Sequence, residues 1–174
     1  MVIVPHIRFL AISLAVLFAA LPHQARAQRN ATVVYLVRHA EKVDASRDPS
    51  LTEAGRERAA LLAGMLRDAG LTHVHSTDLE RTRDTAAPVA SQAGLDVRFY
   101  DPRELVGFAE RLRATPGRHL VSGHSDTTPI LVRLLGGVSS DILDHEYDRL
   151  YVLTLEPDGG ASTVLIRFGE SSGG

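Results

Sequence analysis

The chain has 174 residues, with 19 Lys or Arg against 21 Asp or Glu, a net charge of −2, and no cysteine. That balance excludes the strongly basic surface of a general nucleic-acid or anionic-membrane binder. The lack of cysteine excludes a disulfide framework, a thiolate nucleophile and a Cys-ligated zinc.

The first 27 residues read as a leader rather than as part of a folded domain. Arg8 supplies a basic start, LAISLAVLFAAL at 10–21 is an uncharged run of twelve with Ser13 its one polar residue, and Ala25 and Ala27 place small residues where a signal peptidase reads them. That order is that of a secretory signal peptide. Spanning a bilayer takes about 20 apolar residues, and even with Phe9 the run is only thirteen. Export and cleavage are therefore expected rather than a retained anchor, giving a leader at 1–27, a domain at 28–174 and a periplasmic or secreted location without stable membrane insertion. Losing Arg8 and Arg26 leaves 17 basic against 21 acidic residues in the remaining 147, a length that supports one domain with its own core.

Downstream, short apolar runs alternate with amphipathic segments. TVVYLV at 32–37 is β-branched, short and stopped by polar residues, the pattern of a buried strand. Residues 50–69 predict a helix with Ala54, Leu61, Leu62, Met65, Leu66 and Ala69 on one face. Ser50 and Glu53 stand at capping-box spacing, and Gly70 is placed to end the helix. THVHS at 72–76 predicts a strand, 80–92 a helix and LDVRFY at 95–100 another strand. Asp101-Pro102 predicts a helix start, with the helix ending before Pro116. HLVSG at 119–123 is a strand and 127–137 a helix closed by glycines. RLYVLTLE and STVLIRF, joined by Pro157-Asp158-Gly159-Gly160, read as a β-hairpin. The expected fold class is α/β: a layered α/β/α arrangement with a mostly parallel central sheet and a C-terminal hairpin.

Charged residues cluster where these strands end. Arg38-His39 follows the first strand, and Gly123-His124 follows HLVS, with Gly123 allowing a close turn into the next helix. Open α/β sheets bind ligands outside the carboxyl ends of their strands. Arg81, in STDLERTRDTA, opens a helix whose free amides favour an anion. Arginine matches phosphate oxygens with a planar fork of donors, and a neutral imidazole is a competent nucleophile near neutral pH. Together these residues describe a phosphate site.

LVRHAEK, STDLERTRDTA and VSGHSDTTP resemble, in order, the three signatures of the histidine phosphatase superfamily (phosphoglycerate mutase-like), most closely its small branch-1 members. LTEAGRERA is similar to the segment between the first two. The resemblance implies a phosphoglycerate mutase-like fold and a phosphatase acting on a small phosphorylated substrate, with inorganic phosphate as product and no metal or other cofactor. His39 would become phosphorylated, and Arg38, Arg81 and His124 would hold the non-bridging oxygens. A carboxylate would protonate the leaving group: Glu104 is the first choice, although it also fits a capping box with Asp101 and Pro102. Asp126 and Glu41 are rivals, Asp126 fitting an N-cap equally well.

Other residues carry weaker signals. Lys42 fits a positive rim or plain surface, Arg83 a solvated charge, and His145 and Tyr147 a loop. His73 and His75 share a strand face, which is weak evidence for a metal without a third ligand. Three alternative activities are a phosphohistidine protein phosphatase, a non-catalytic phosphate-binding domain and a mutase. The leader argues against the first, the His39–His124 pair against the second, and the short chain against the third. Nothing in the sequence sets an oligomeric state.

Overall fold

The computed structural model describes residues 31–156 and 158–171; the expected leader at 1–27 lies outside them. In chain order the elements are β1 (Val33–Arg38), α1 (Glu53–Met65), β2 (His73–Ser76), α2 (Glu80–Ala93), β3 (Val97–Phe99), α3 (Leu105–Ala114), β4 (Arg118–Gly123), α4 (Thr127–Leu134), β5 (Arg149–Leu155) and β6 (Ala161–Arg167). The six strands form one sheet in the order β3-β2-β4-β1-β5-β6. β3, β2, β4 and β1 run parallel, and the β5–β6 hairpin adds antiparallel on the β1 side. The alternating strand–helix pattern dictates this mixed sheet, because a parallel neighbour needs a crossover helix whereas a hairpin does not. Among the described residues no helix is long and apolar enough to cross a membrane.

Successive strand side chains point to opposite faces, and the core divides accordingly. Val34 and Leu36 of β1, with Val121 of β4, pack against Leu105, Phe108 and Leu112 of α3 and Leu131 of α4. Val37 and Leu120 point the other way, onto Leu62 and Leu66 of the α1 segment and Ala86 and Val89 of α2. The result is a helix–sheet–helix sandwich, as the sequence pattern implied. Leu36 is fully buried, and its truncation to alanine would cost about 2–5 kcal/mol.

Three local expectations change. The cap of α1 is Thr52, whose hydroxyl accepts from Gly55 N, rather than Ser50. The buried stripe runs through Gly55, Arg58, Ala59, Leu62 and Ala63, leaving Leu61 and Met65 about 40% exposed. Arg58 turns the helix this way: its guanidinium grips both oxygens of Glu41 and donates to the Phe168 and Glu170 carbonyls. The helix expected from Asp101-Pro102 starts only at Leu105. The Asp101 carboxylate instead accepts from Arg103 N and from its guanidinium, forming a local turn.

Candidate active site

β1 and β4 are neighbours, with Arg38 beside Gly123, so the segments that follow them leave the sheet at one point. The His39 amide donates to the Gly123 carbonyl at 2.8 Å, locking the two histidine-bearing turns together. Gly123 is needed there because a Cβ would stand 2.8 Å from the Tyr100 hydroxyl and 3.1 Å from that of Thr128. The rings of His39 and His124 lie edge to face, 5.6 Å apart. They open onto a cleft of about 540 Å³ whose lining includes Arg38, Lys42, Arg81, Asp126 and Asp144. The four residues expected to handle phosphate, Arg38, His39, Arg81 and His124, thus converge from three strand ends.

His39 Nδ1 lies 2.8 Å from the Ala40 carbonyl. A carbonyl only accepts, so Nδ1 carries the hydrogen and the Nε2 lone pair is unprotonated. The ring is 4% exposed. Burial is the main force pushing its pKa down to about 3, opposed by the Ala40 bond and reinforced by the Arg38 and Arg81 cations and by the neighbouring His124. His39 is therefore a neutral imidazole at any ordinary pH, fixed in one tautomer. The Ala40 amide is itself held by the Thr85 hydroxyl of α2, which donates to the Arg81 carbonyl, coupling His39 to the helix that carries Arg81.

Arg38 is buried. Its Nη1 reaches the carbonyls of Leu143, Asp144 and Glu146 at 2.8–3.0 Å, and its guanidinium stands over the Tyr147 ring, 4.2 Å from the centroid. Arg38 thereby fastens the loop before β5, in addition to lining the cleft. Arg81 contacts the loop after β1, through the Arg47 carbonyl at 3.3 Å and Asp48 at 3.8 Å. Both arginines keep a buried Nε–H without a hydrogen-bond partner among the described residues. A buried unsatisfied donor costs about 1–3 kcal/mol, more when charged.

His124 Nε2 lies 2.9 Å from the Thr77 hydroxyl, which is 2.8 Å from that of Thr82. Thr82 in turn reaches the Leu79 and Thr77 carbonyls. Burial, then the Arg81 cation, pulls the His124 pKa down to about 4. Thr77 and Thr82 were missed in the sequence reading; the signal available was their place in STDLERT, at the strand end and first helical turn.

The carboxylates are sorted by position. Glu104, the first choice for the proton donor, is exposed, is absent from the cleft lining and makes no side-chain cap. The reason is the turn at 101–104, which delays α3 and puts Pro102 and Arg103 at the cleft instead. Glu41 is held by Arg58, away from the lining. Asp126 lines the cleft and also caps α4, accepting from Thr127 N at 2.7 Å. Asp144 lines it too, a residue the sequence reading did not single out. Lys42 belongs to the rim, its ammonium donating to the Asp44 carbonyl. Arg83 pairs with Asp78 on the surface. His145 is an exposed loop residue, whereas Tyr147 is half-buried beneath Arg38. His73 and His75 do meet a third imidazole, His119, yet among the described residues no group of three His, Cys, Asp or Glu is arranged to hold a metal.

A cationic cleft at the carboxyl ends of the strands of a mixed α/β sheet, holding a neutral histidine whose Nε2 is unprotonated, defines a phosphoryl-transfer class of protein. The profile of the histidine phosphatase superfamily (branch 1) matches residues 34–103. The chain is 31% identical over 157 residues to the probable phosphoglycerate mutase GpmB of Salmonella paratyphi A, an alignment covering 80% of this chain and 71% of that protein. This protein belongs to the histidine phosphatase superfamily. Its fold is similar to the protein histidine phosphatase SixA complexed with tungstate (TM-score 0.65, 18% identity, 78% of this chain and 96% of that one). It is similar also to a mycobacterial glucosyl-3-phosphoglycerate phosphatase complexed with VO3 (TM-score 0.62, 16% identity, 80% of this chain and 100% of that one).

Proposed function

We propose that the protein is an exported phosphatase that hydrolyses phosphomonoesters through a phosphohistidine formed on His39. The observation that carries this reading is the His39 ring: Nδ1–H tied to the Ala40 carbonyl, Nε2 unprotonated, and Arg38, Arg81 and His124 around the same cleft. In the first step the His39 Nε2 lone pair attacks phosphorus in line and the P–O bond to the leaving group breaks. Arg38, Arg81 and His124 hold the non-bridging oxygens and offset the charge that spreads over them. A carboxylic acid at the cleft gives the leaving oxygen its proton. Asp126 is the residue assigned to this role, because it lines the cleft and Glu104 does not. Water then attacks phospho-His39, releasing inorganic phosphate and restoring the imidazole.

Hydrolysis is preferred over mutase chemistry because short loops, at 43–50 and 138–148, flank the cleft and leave it open to water. The likeness in fold to SixA supports a second reading, in which the substrate is a phosphohistidine on another protein. The apolar run and small-residue site at 1–27 support export, which would separate the enzyme from cytosolic signalling proteins. N-terminal sequencing of the protein from the periplasm or medium tests this: a start at Gln28 is expected, and an intact Met1 there would overturn it.

A chromogenic phosphomonoester and a phosphohistidine peptide, offered to wild type and His39→Ala, test the activity. Release from the monoester by wild type alone is expected. Release only from the peptide favours the second reading, and release from neither favours a non-catalytic phosphate-binding domain.

A further inference from the structure

A second cavity, of about 240 Å³, lies between α3 and the β2, β3 and β4 strands. The sheet face that α3 covers would ordinarily be apolar, as it is at Val34, Leu36 and Val121. Yet the neighbouring positions hold His73 and His75 on β2, His119 on β4 and Arg98 on β3, brought to one face by the register His73–His119 and His75–Arg98. His75 and His119 are 9% and 1% exposed. Local violations of the core pattern of this kind concentrate at functional sites.

The three imidazoles form an ordered stack, His73 over His119 at 4.4 Å and His75 beside His119 at 5.4 Å. His119 Nε2 donates to the Thr115 carbonyl at 2.9 Å, so in the neutral ring its Nδ1 accepts from His75 Nε2–H at 3.1 Å. The hydrogen bonds thus fix the His75 and His119 rings, and Phe108 stands edge-on to His75 at 5.3 Å. Beside it stand two guanidiniums, Arg98 and Arg111, that form no ion pair among the described residues, and no carboxylate lines the cavity. Arg111 lies over the Phe108 ring, 5.7 Å from its centroid.

Imidazole and aromatic rings beside two arginines without an ion pair among the described residues match one ligand chemistry. Rings that line a cavity take up a planar ring edge to face or offset, and arginine forks take up a carboxylate or a phosphoryl group. The volume lies just below the range of drug-sized pockets, which limits the occupant to about one ring. We propose that this cavity is a second binding site, independent of the phosphoryl-transfer cleft, for a small anion carried on a planar ring, of the aryl carboxylate or aryl phosphonate class.

Titrations followed by NMR of the histidine ring protons test the site, using benzoate and phenylphosphonate as the two head groups, inorganic phosphate as anion alone and benzyl alcohol as ring alone. The expected result is saturable shifts of His73, His75 and His119 with at least one ring-bearing anion, about tenfold or more tighter than with either control. The double variant Arg98→Glu/Arg111→Glu, its fold checked by an unchanged thermal melt, should lose this binding. Shifts confined to His39 and His124, binding of inorganic phosphate to the stack as tight as that of the ring-bearing anions, binding that survives the charge reversal, or no saturation would each overturn the proposal.

Discussion

At the scale of single residues the chemistry rests on protonation states set by neighbours. The Thr77 hydroxyl has one hydrogen and two takers, His124 Nε2 at 2.9 Å and Thr82 Oγ1 at 2.8 Å. Donating to His124 leaves that ring's hydrogen on Nδ1; donating to Thr82 requires it on Nε2. Thr77→Val removes this choice while keeping the shape. A net hydrogen bond is worth about 0.5–1.5 kcal/mol, so a fall in kcat of about 3- to 10-fold is expected, with the pH profile displaced. Unchanged kcat across pH would show the threonine to be packing only. The proton donor is tested separately through leaving-group dependence. Asp126→Asn should lower kcat by about 10²–10⁴ for alkyl phosphates and far less for p-nitrophenyl phosphate, whose leaving oxygen needs no proton. Glu104→Gln should change neither, and the reverse pattern would reinstate Glu104.

At the scale of elements, the site depends on how the segment after β1 is pinned. Gly55 sits against it so closely that a Cβ would come within 2.3 Å of the Glu41 carbonyl, which gives a physical reason for the glycine in LTEAG. The Arg58–Glu41 pair, with side chains 8% and 21% exposed, joins the same segment to α1 and to the carbonyls after β6. Removing one partner of a mostly buried pair strands the other, so Arg58→Ala should cost about 2–4 kcal/mol in urea unfolding. A loss below about 0.5 kcal/mol would contradict this role.

These long-range ties mark the limit of what the sequence discloses. The strand ends that deliver His39 and His124 were legible, because β-branched runs stop at charged residues and each stop precedes a helix signal. The buried Arg58 was not, because its partner is 17 residues away and a periodic pattern counts arginine as surface. The turn at 101–104 was hidden for a related reason: Asp-Pro opens a helix and a tight turn equally well, and only the Asp101–Arg103 bonds decide between them. His119 joined the histidine stack through sheet register, which sequence spacing does not reveal.

At the scale of the whole molecule, buried neutral histidines tie stability to pH. Burial, the main cause in each case, holds His39 and His75 at about 3, whereas histidines in the unfolded chain protonate near 6.5. Between those values the unfolded chain binds more protons, so stability is whole above about pH 6.5 and declines as pH falls towards 3. The slope is roughly 1.4 kcal/mol per pH unit for each histidine. Urea midpoints at pH 7.5, 6 and 5 should fall in that order, and less steeply in His39→Asn, which lacks one of these protons. An identical slope in the variant would contradict the neutral, buried state of His39.

The central claim is that this neutral imidazole takes up the phosphoryl group. Rapid mixing with a phosphomonoester, quenching at alkaline pH where phosphohistidine persists, and fragmentation mass spectrometry test it directly. One added phosphoryl group, located on His39 and absent from His39→Ala, is the expected result. An active preparation in which His39 is never modified, or in which His39→Ala still turns over, would contradict it.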